Sequence, residues 1–140
     1  MINPDRKIVN FIKQHHVFTL AVSKNNLPWC CNCFYSYIEN EALLVFTTDT
    51  NTRHGAEILE NKLVSGSIVL ETKIIGKIQG IQFSGEALDA TGIDNAKYSY
   101  LKRFPFAALM DTRLWVIKLN HIKFTDNSFG FGKKLIWERN

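Results

Sequence analysis

Ile8, Val9, Phe11 and Ile12 recur at spacings of three and four residues, the stripe of an amphipathic helix. The residues before them carry start signals. Asn3 can cap the helix, Pro4 suits its first position, and Asp5 complements the positive end of the dipole. From Val17 the pattern turns β-rich. Val17 to Ser23 predicts a strand that ends at the turn Lys24-Asn25-Asn26, and a second strand follows from about Trp29 to Ile38. After Glu39-Asn40-Glu41, the segment Ala42 to Thr48 is apolar on both faces, which predicts a central strand.

A short helix comes next, capped by Thr50 or Thr52, with Ile58 and Leu59 facing inward and Asn61 at its end. Leu63 to Leu70 predicts a fourth strand, and an alternating segment from Lys77 to Ala90 a fifth. Gly80 and Gly85 within that segment suggest bulges or close backbone approach. Asp94 opens a second helical stretch with the stripe Tyr100, Leu101 and Phe104; Pro105 breaks it, and Phe106 to Met110 continue as a short turn. Strands over Leu114–Leu119, Ile122–Phe124 and Leu135–Trp137 close the chain. Six to eight short strands, with helices at two connections, predict a mainly β fold: a closed or half-closed antiparallel barrel with flanking helices.

The length of 140 residues places all of 1–140 in a single domain. A hydrophobic share of 46% against 21% charged excludes disorder, collagen and coiled coil. No apolar run approaches the roughly 20 residues of a membrane span, and the start Met1-Ile2-Asn3-Pro4-Asp5-Arg6 has no signal-peptide pattern, so the expectation is a cytoplasmic protein without a membrane partner. The net charge is +4, with Lys and Arg scattered. Nucleic-acid binding needs them gathered on one face, so no nucleic-acid partner is expected and a small anionic ligand fits better.

Cys30, Cys31 and Cys33 fall together, an odd count that argues against a disulfide framework. In an extended strand Cys31 and Cys33 share one face while Cys30 points the other way. There is no second cysteine pair, and His15, His16, His54 and His121 show no ligand spacing, so no metal site is expected. The three cysteines are read as small apolar residues of a buried strand.

Thr47-Thr48-Asp49-Thr50-Asn51-Thr52-Arg53-His54 links a predicted central strand to a helix N-terminus. Such a terminus presents unpaired N–H groups and partial positive charge, threonine hydroxyls add donors, and Arg53 offers a bidentate fork, so the segment suits a phosphate. The same residues also fit a purely local reading, in which the threonines cap the helix and Arg53 pairs with Glu57 four residues on. Phe129-Gly130-Phe131-Gly132-Lys133-Lys134 is not a Walker motif, because Asn127 and Lys134 stand where glycine and Ser or Thr belong. It reads as a Gly-rich hairpin whose lysines could add charge to an anion site. Ser65-Gly66-Ser67 reads as close packing rather than a nucleophile elbow, and no carboxylate pair points to acid–base hydrolysis. No catalytic residue is assigned.

In order along the chain, Thr19-Leu20-Ala21, Trp29 to Tyr35, Thr47-Thr48 through Arg53-His54, Gln79 through Gly85, Arg103-Phe104-Pro105 and the tail from Lys123 to Trp137 resemble the pyridoxamine 5′-phosphate oxidase-like, FMN-binding split barrels. The resemblance spans nearly the whole chain and is nearest to the uncharacterised bacterial YhbP-like branch. It implies a homodimer with FMN at the subunit interface. Asn32, Cys33, Phe34 and Tyr35 would lie along the isoalloxazine ring, and Thr47, Thr48, Arg53 and His54 would hold the phosphate. The chain departs from the oxidase pattern in several places. His54 replaces the second of two basic residues and is largely neutral near pH 7. Asn32 stands where the oxidase has arginine, and Thr125 where its tail has tryptophan. Lys133 or Lys134 is the nearest basic residue in the tail, and the fifth-strand glutamine is Gln82 or Gln79. Pyridoxamine phosphate oxidation is therefore not expected.

The leading expectation is an FMN-binding protein, a flavin-dependent oxidoreductase acting on a small substrate of unknown identity, in which the cofactor carries the chemistry. One alternative is a non-enzymatic module for haem or another anionic ligand, with a histidine or cysteine as axial ligand. The other is a structural dimer whose flavin site has decayed.

Overall fold

The computed structural model describes residues 3–110, 113–130 and 132–140. Helix α1 (Arg6–Gln14) buries Ile8, Val9, Phe11 and Ile12. Its cap is Asp5 rather than Asn3: the Asp5 carboxylate accepts the Lys7 N–H at 2.8 Å. Pro4 thus precedes the helix and is buried, while one carboxylate both caps the first turn and complements its dipole.

Strands β1 (Val17–Lys24) and β2 (Leu27–Ile38) pair antiparallel through a two-residue turn. Asn25 and Asn26 both adopt positive φ, 52° and 64°, as a tight hairpin matching the strand twist requires. A 3-10 turn at Glu39–Glu41 ends with Ala42 in the left-handed region, so β3 is Leu43–Thr47 and shorter than its apolar run. Helix α2 (Arg53–Glu60) ends at Asn61 and buries Ile58. Leu59 is 55% exposed, because a helix of two turns turns only one narrow face to the barrel.

Strands β4 (Leu63–Val69) and β5 (Gln79–Asp89) follow, then helix α3 (Ala96–Arg103), a 3-10 turn at Pro105–Leu109, β6 (Leu114–Asp126) and β7 (Lys134–Glu138). Helix α3 starts after Asn95, whose φ is 69°, instead of at Asp94. The two strands expected over 114–124 are one. Ser84 pairs with His121 and Gly85 with Leu119, so Asn120 is the extra residue of a bulge, and β6 bends there without ending. The Gly-rich segment connects β6 to β7 as a hairpin, with Phe131 outside the described residues.

The sheet runs β3-β2-β1-β4-β5-β6-β7, and β3 also pairs with β6. That pairing closes six antiparallel strands into a barrel and leaves β7 as a flap on β6. The aromatic rings of Phe18, Tyr35, Phe46 and Phe83 meet inside it. Gly66 makes this possible: a Cβ there would lie 2.4 Å from both Phe83 Cζ and the Thr19 carbonyl oxygen. Arg103 ties α3 to the rest, donating to the carbonyls of Tyr35 (3.1 Å), Lys13 (3.3 Å) and His15. No helix among the described residues is long and apolar enough to cross a membrane.

Candidate functional site

Because β3 pairs with β2 on one side and β6 on the other, its C-terminal end brings three elements together beside the start of α2. A cavity of about 490 Å³ opens there, within the usual range for small-ligand sites. Asn32, Cys33 and Phe34 of β2 form one wall. Thr47 and Thr48 at the end of β3, with Asp49, Thr50, Thr52 and His54 beyond, form the other, and Tyr100 and Arg113 complete it.

The β3–α2 connection is folded tightly on itself. The Asp49 carbonyl accepts both the N–H and the hydroxyl of Thr52, at 3.0 and 2.6 Å. The Thr52 hydroxyl in turn accepts the Gly55 N–H at 3.1 Å. Thr52 is therefore the helix cap, as the local reading of this segment expected. Gly55 is obligatory, since a Cβ would fall 2.1 Å from the Asp49 oxygen. Thr48 Oγ1 lies 2.6 Å from His54 Nε2, and Thr47 Oγ1 lies 3.5 Å from the Tyr100 hydroxyl. Burial holds the His54 imidazole below its usual value of 6.5, so the ring is neutral at pH 7.

Arg53 turns away from the cavity. Its Nε donates to Glu57 at 3.2 Å, and its guanidinium lies 4.1 Å from the Trp29 ring centroid. The local reading of Arg53 thus holds in this structure. The cation on the cavity wall is Arg113, which the sequence reading missed. It donates to Asp89 at 2.6 Å and lies over Trp115. Hydrogen bonds from Thr91 and then from Arg113 bring the Asp89 carboxyl down to about 2. Arg113 and Tyr100 carry no local signature. Only the β3–β6 register, Thr47 opposite Leu114, brings Arg113 to the site.

Of the ring-side residues, Asn32 accepts the Thr19 hydroxyl at 2.9 Å, and Phe34 is 56% exposed beside the cavity. Gln82, on β5 opposite Ser67, and Lys133, in the β6–β7 connection, lie outside the cavity lining. Cys31 and Cys33 share a face of β2 as expected, with Sγ atoms 3.8 Å apart. The structure adds His54 to them: its ring nitrogen and the two sulfurs all lie within 4.8 Å of one another.

This architecture has well-defined counterparts. A haem-binding protein from Mycobacterium smegmatis superposes with a TM-score of 0.78 at 17% identity, over 99% of this chain and 60% of that longer one. A FAD-binding protein from Mesorhizobium loti gives 0.69 at 12% identity over 85% of this chain and 91% of its own. A candidate pyridoxamine 5′-phosphate oxidase from Listeria innocua gives 0.65 at 14% identity over 84% and 94%. The fold is that of the split barrels related to pyridoxamine phosphate oxidase. No family model matches the chain. A UPF0306 protein of Serratia proteamaculans, however, is 39% identical over 136 residues, 96% of this chain and 94% of the relative. The chain belongs to the UPF0306 family.

Proposed function

We propose that the cavity binds flavin mononucleotide and that the protein is a flavin-dependent oxidoreductase. The observation that carries this is the meeting, in one cavity, of Asn32–Phe34 of β2 with the hydroxyl-rich start of α2. The donor set fits the cofactor. Thr47, Thr48 and Thr50 bring hydroxyls, and a helix N-terminus favours an anion. Arg53 lies outside the cavity lining and engages Glu57 through Nε alone, so a turn of its guanidinium off Trp29 would bring its Nη donors to a phosphate. Arg113 adds a cation on the cavity wall, and β2 offers Phe34 and polar groups of Asn32 to a planar ring. Flavin-binding and pyridoxamine phosphate oxidase-type relatives of the fold support the assignment.

When bound, FMN supplies the hydride and electron chemistry. The chain's own work is to bind and orient it. His54, neutral and held by Thr48, donates or accepts a hydrogen bond at the phosphate end without demanding a proton. The cavity is open beside Phe34, and a second copy of the chain covering that ring would complete the ring side of the site, as the homodimer of the resemblance implies. Gln82 and Lys133, remote within one chain, are then candidates for the partner's contribution.

A comparison of FMN with riboflavin, by quenching of flavin fluorescence, tests this reading. The phosphate contacts should make FMN bind at least about tenfold tighter, a difference of roughly 1.4 kcal/mol. Equal affinities, or no quenching by either flavin, would contradict it.

A further inference from the structure

Cys31 and Cys33 stand two residues apart in β2, and strand geometry sends both side chains to one face. Cys33 is buried and Cys31 half-buried. Facing them is His54, the second residue of α2, whose ring is fixed by the Thr48 hydroxyl at 2.6 Å and flanked by that of Thr52 at 3.4 Å. We propose that Cys31, Cys33 and His54 form a three-ligand site for a thiophilic divalent cation, zinc, with its fourth position open to the cavity.

The distances carry the proposal. Zinc–thiolate bonds of about 2.3 Å at the tetrahedral angle set two sulfurs about 3.8 Å apart. The two Sγ atoms stand at 3.8 Å, closer than unrelated neighbours on a strand face need be. With a zinc–nitrogen bond of about 2.0–2.1 Å, the sulfur–nitrogen separation should be about 3.6 Å. The observed limit of 4.8 Å leaves about an ångström, within reach of side-chain rotation. Three protein ligands with one open position is the arrangement of reactive zinc rather than of a closed structural site. A hydroxyl on the histidine is the kind of outer partner that fixes a ligand ring.

The charges agree. Two thiolates this close in a half-buried site repel one another, and a divalent cation cancels both charges. The balance is one cation and two thiols giving a neutral dithiolate complex, with both protons passing to solvent.

Cys33 and His54 also line the flavin cavity, so the two occupants compete, and the test uses protein shown by its absorbance to be flavin-free. The chain, reduced and metal-free, is titrated with cobalt(II) as a coloured stand-in for zinc. The expected result is thiolate-to-cobalt charge-transfer absorption that saturates at one cobalt per chain and is bleached by zinc. Cys31→Ser and His54→Ala should lose it, and Cys30→Ser, at an exposed cysteine, should keep it. Cys31 lies outside the cavity lining, so Cys31→Ser separates the two readings: metal binding is lost while FMN quenching persists. Far-UV circular dichroism establishes that each variant is folded. Absence of the charge-transfer band in folded, reduced wild type would overturn the site, as would its full retention in Cys31→Ser.

Discussion

Thr48 and His54 are joined at 2.6 Å, Oγ1 to Nε2, across the connection between β3 and α2. One residue follows the last of a central barrel strand, and the other is the second residue of a helix. Their contact fixes how the helix N-terminus faces the cavity, and burial keeps the imidazole neutral while it does so. Whatever anion enters meets a preset pair rather than two mobile side chains.

Thr48→Val keeps the shape of the side chain and removes the hydroxyl. His54 then loses its shorter hydrogen bond and keeps only the Thr52 hydroxyl at 3.4 Å, and a neutral hydrogen bond of this kind contributes about 0.5–1.5 kcal/mol. Fluorescence titration should show FMN affinity weakened by roughly that amount, with riboflavin affected less. Identical FMN affinity in Thr48→Val and wild type would remove Thr48 and His54 from the phosphate end.

To reach a phosphate in the cavity, Arg53 has to leave its stacking on Trp29 while keeping Glu57. Arg53→Ala should weaken FMN binding by roughly 1.5–3 kcal/mol, the range for a charged hydrogen bond, and leave riboflavin unchanged. If FMN affinity does not move, Arg53 belongs only to its ion pair with Glu57 and its stacking on Trp29.

Gly66→Ala tests the barrel rather than the site. The new methyl would sit 2.4 Å from Phe83 Cζ and from the Thr19 carbonyl oxygen. Overpacking of this kind costs about 1–3 kcal/mol, and the backbone oxygen cannot yield. A clear fall in Tm is expected, and an unchanged Tm would show that the β1–β4–β5 contact is looser than described.

Mild acid should destabilise the fold through its histidines. Burial holds both His54 and His15 below 6.5, with His16 and Arg103 adding to the effect on His15. Their folded-state values lie below the unfolded one, so the unfolded chain binds more protons in this range. Their contribution to stability is complete above about 6.5 and is lost as pH falls through the folded values. Thermal melts between pH 7.5 and 5 should show Tm declining in that window, and a flat profile would place both rings in solvent.

Most of the fold was legible because period-two alternation and polar turns are local signals. Val17 to Lys24 and Leu63 to Val69 lie within a residue of their expected bounds. What escaped was set by partners distant in sequence. Nothing near Asn120 announces a bulge that lets one strand bend through what reads as a gap, because the bulge exists only relative to Ser84 and Gly85. Leu59 reads as core until the barrel leaves α2 only one narrow contact. The hydroxyl-rich segment was visible as a candidate anion site, whereas Arg113 and Tyr100 reach it only through the register of β6 and the packing of α3. Likewise Cys31 and Cys33 could be put on one face by strand geometry alone. Only the turn from β3 into α2 brings His54 to them.

The most direct test is the visible absorbance spectrum of the protein after FMN is added and the excess removed. A retained flavin spectrum at one FMN per chain, with a raised Tm, is the expected result, since a ligand that binds only the native state stabilises it. A colourless protein with an unchanged Tm would contradict the flavin assignment.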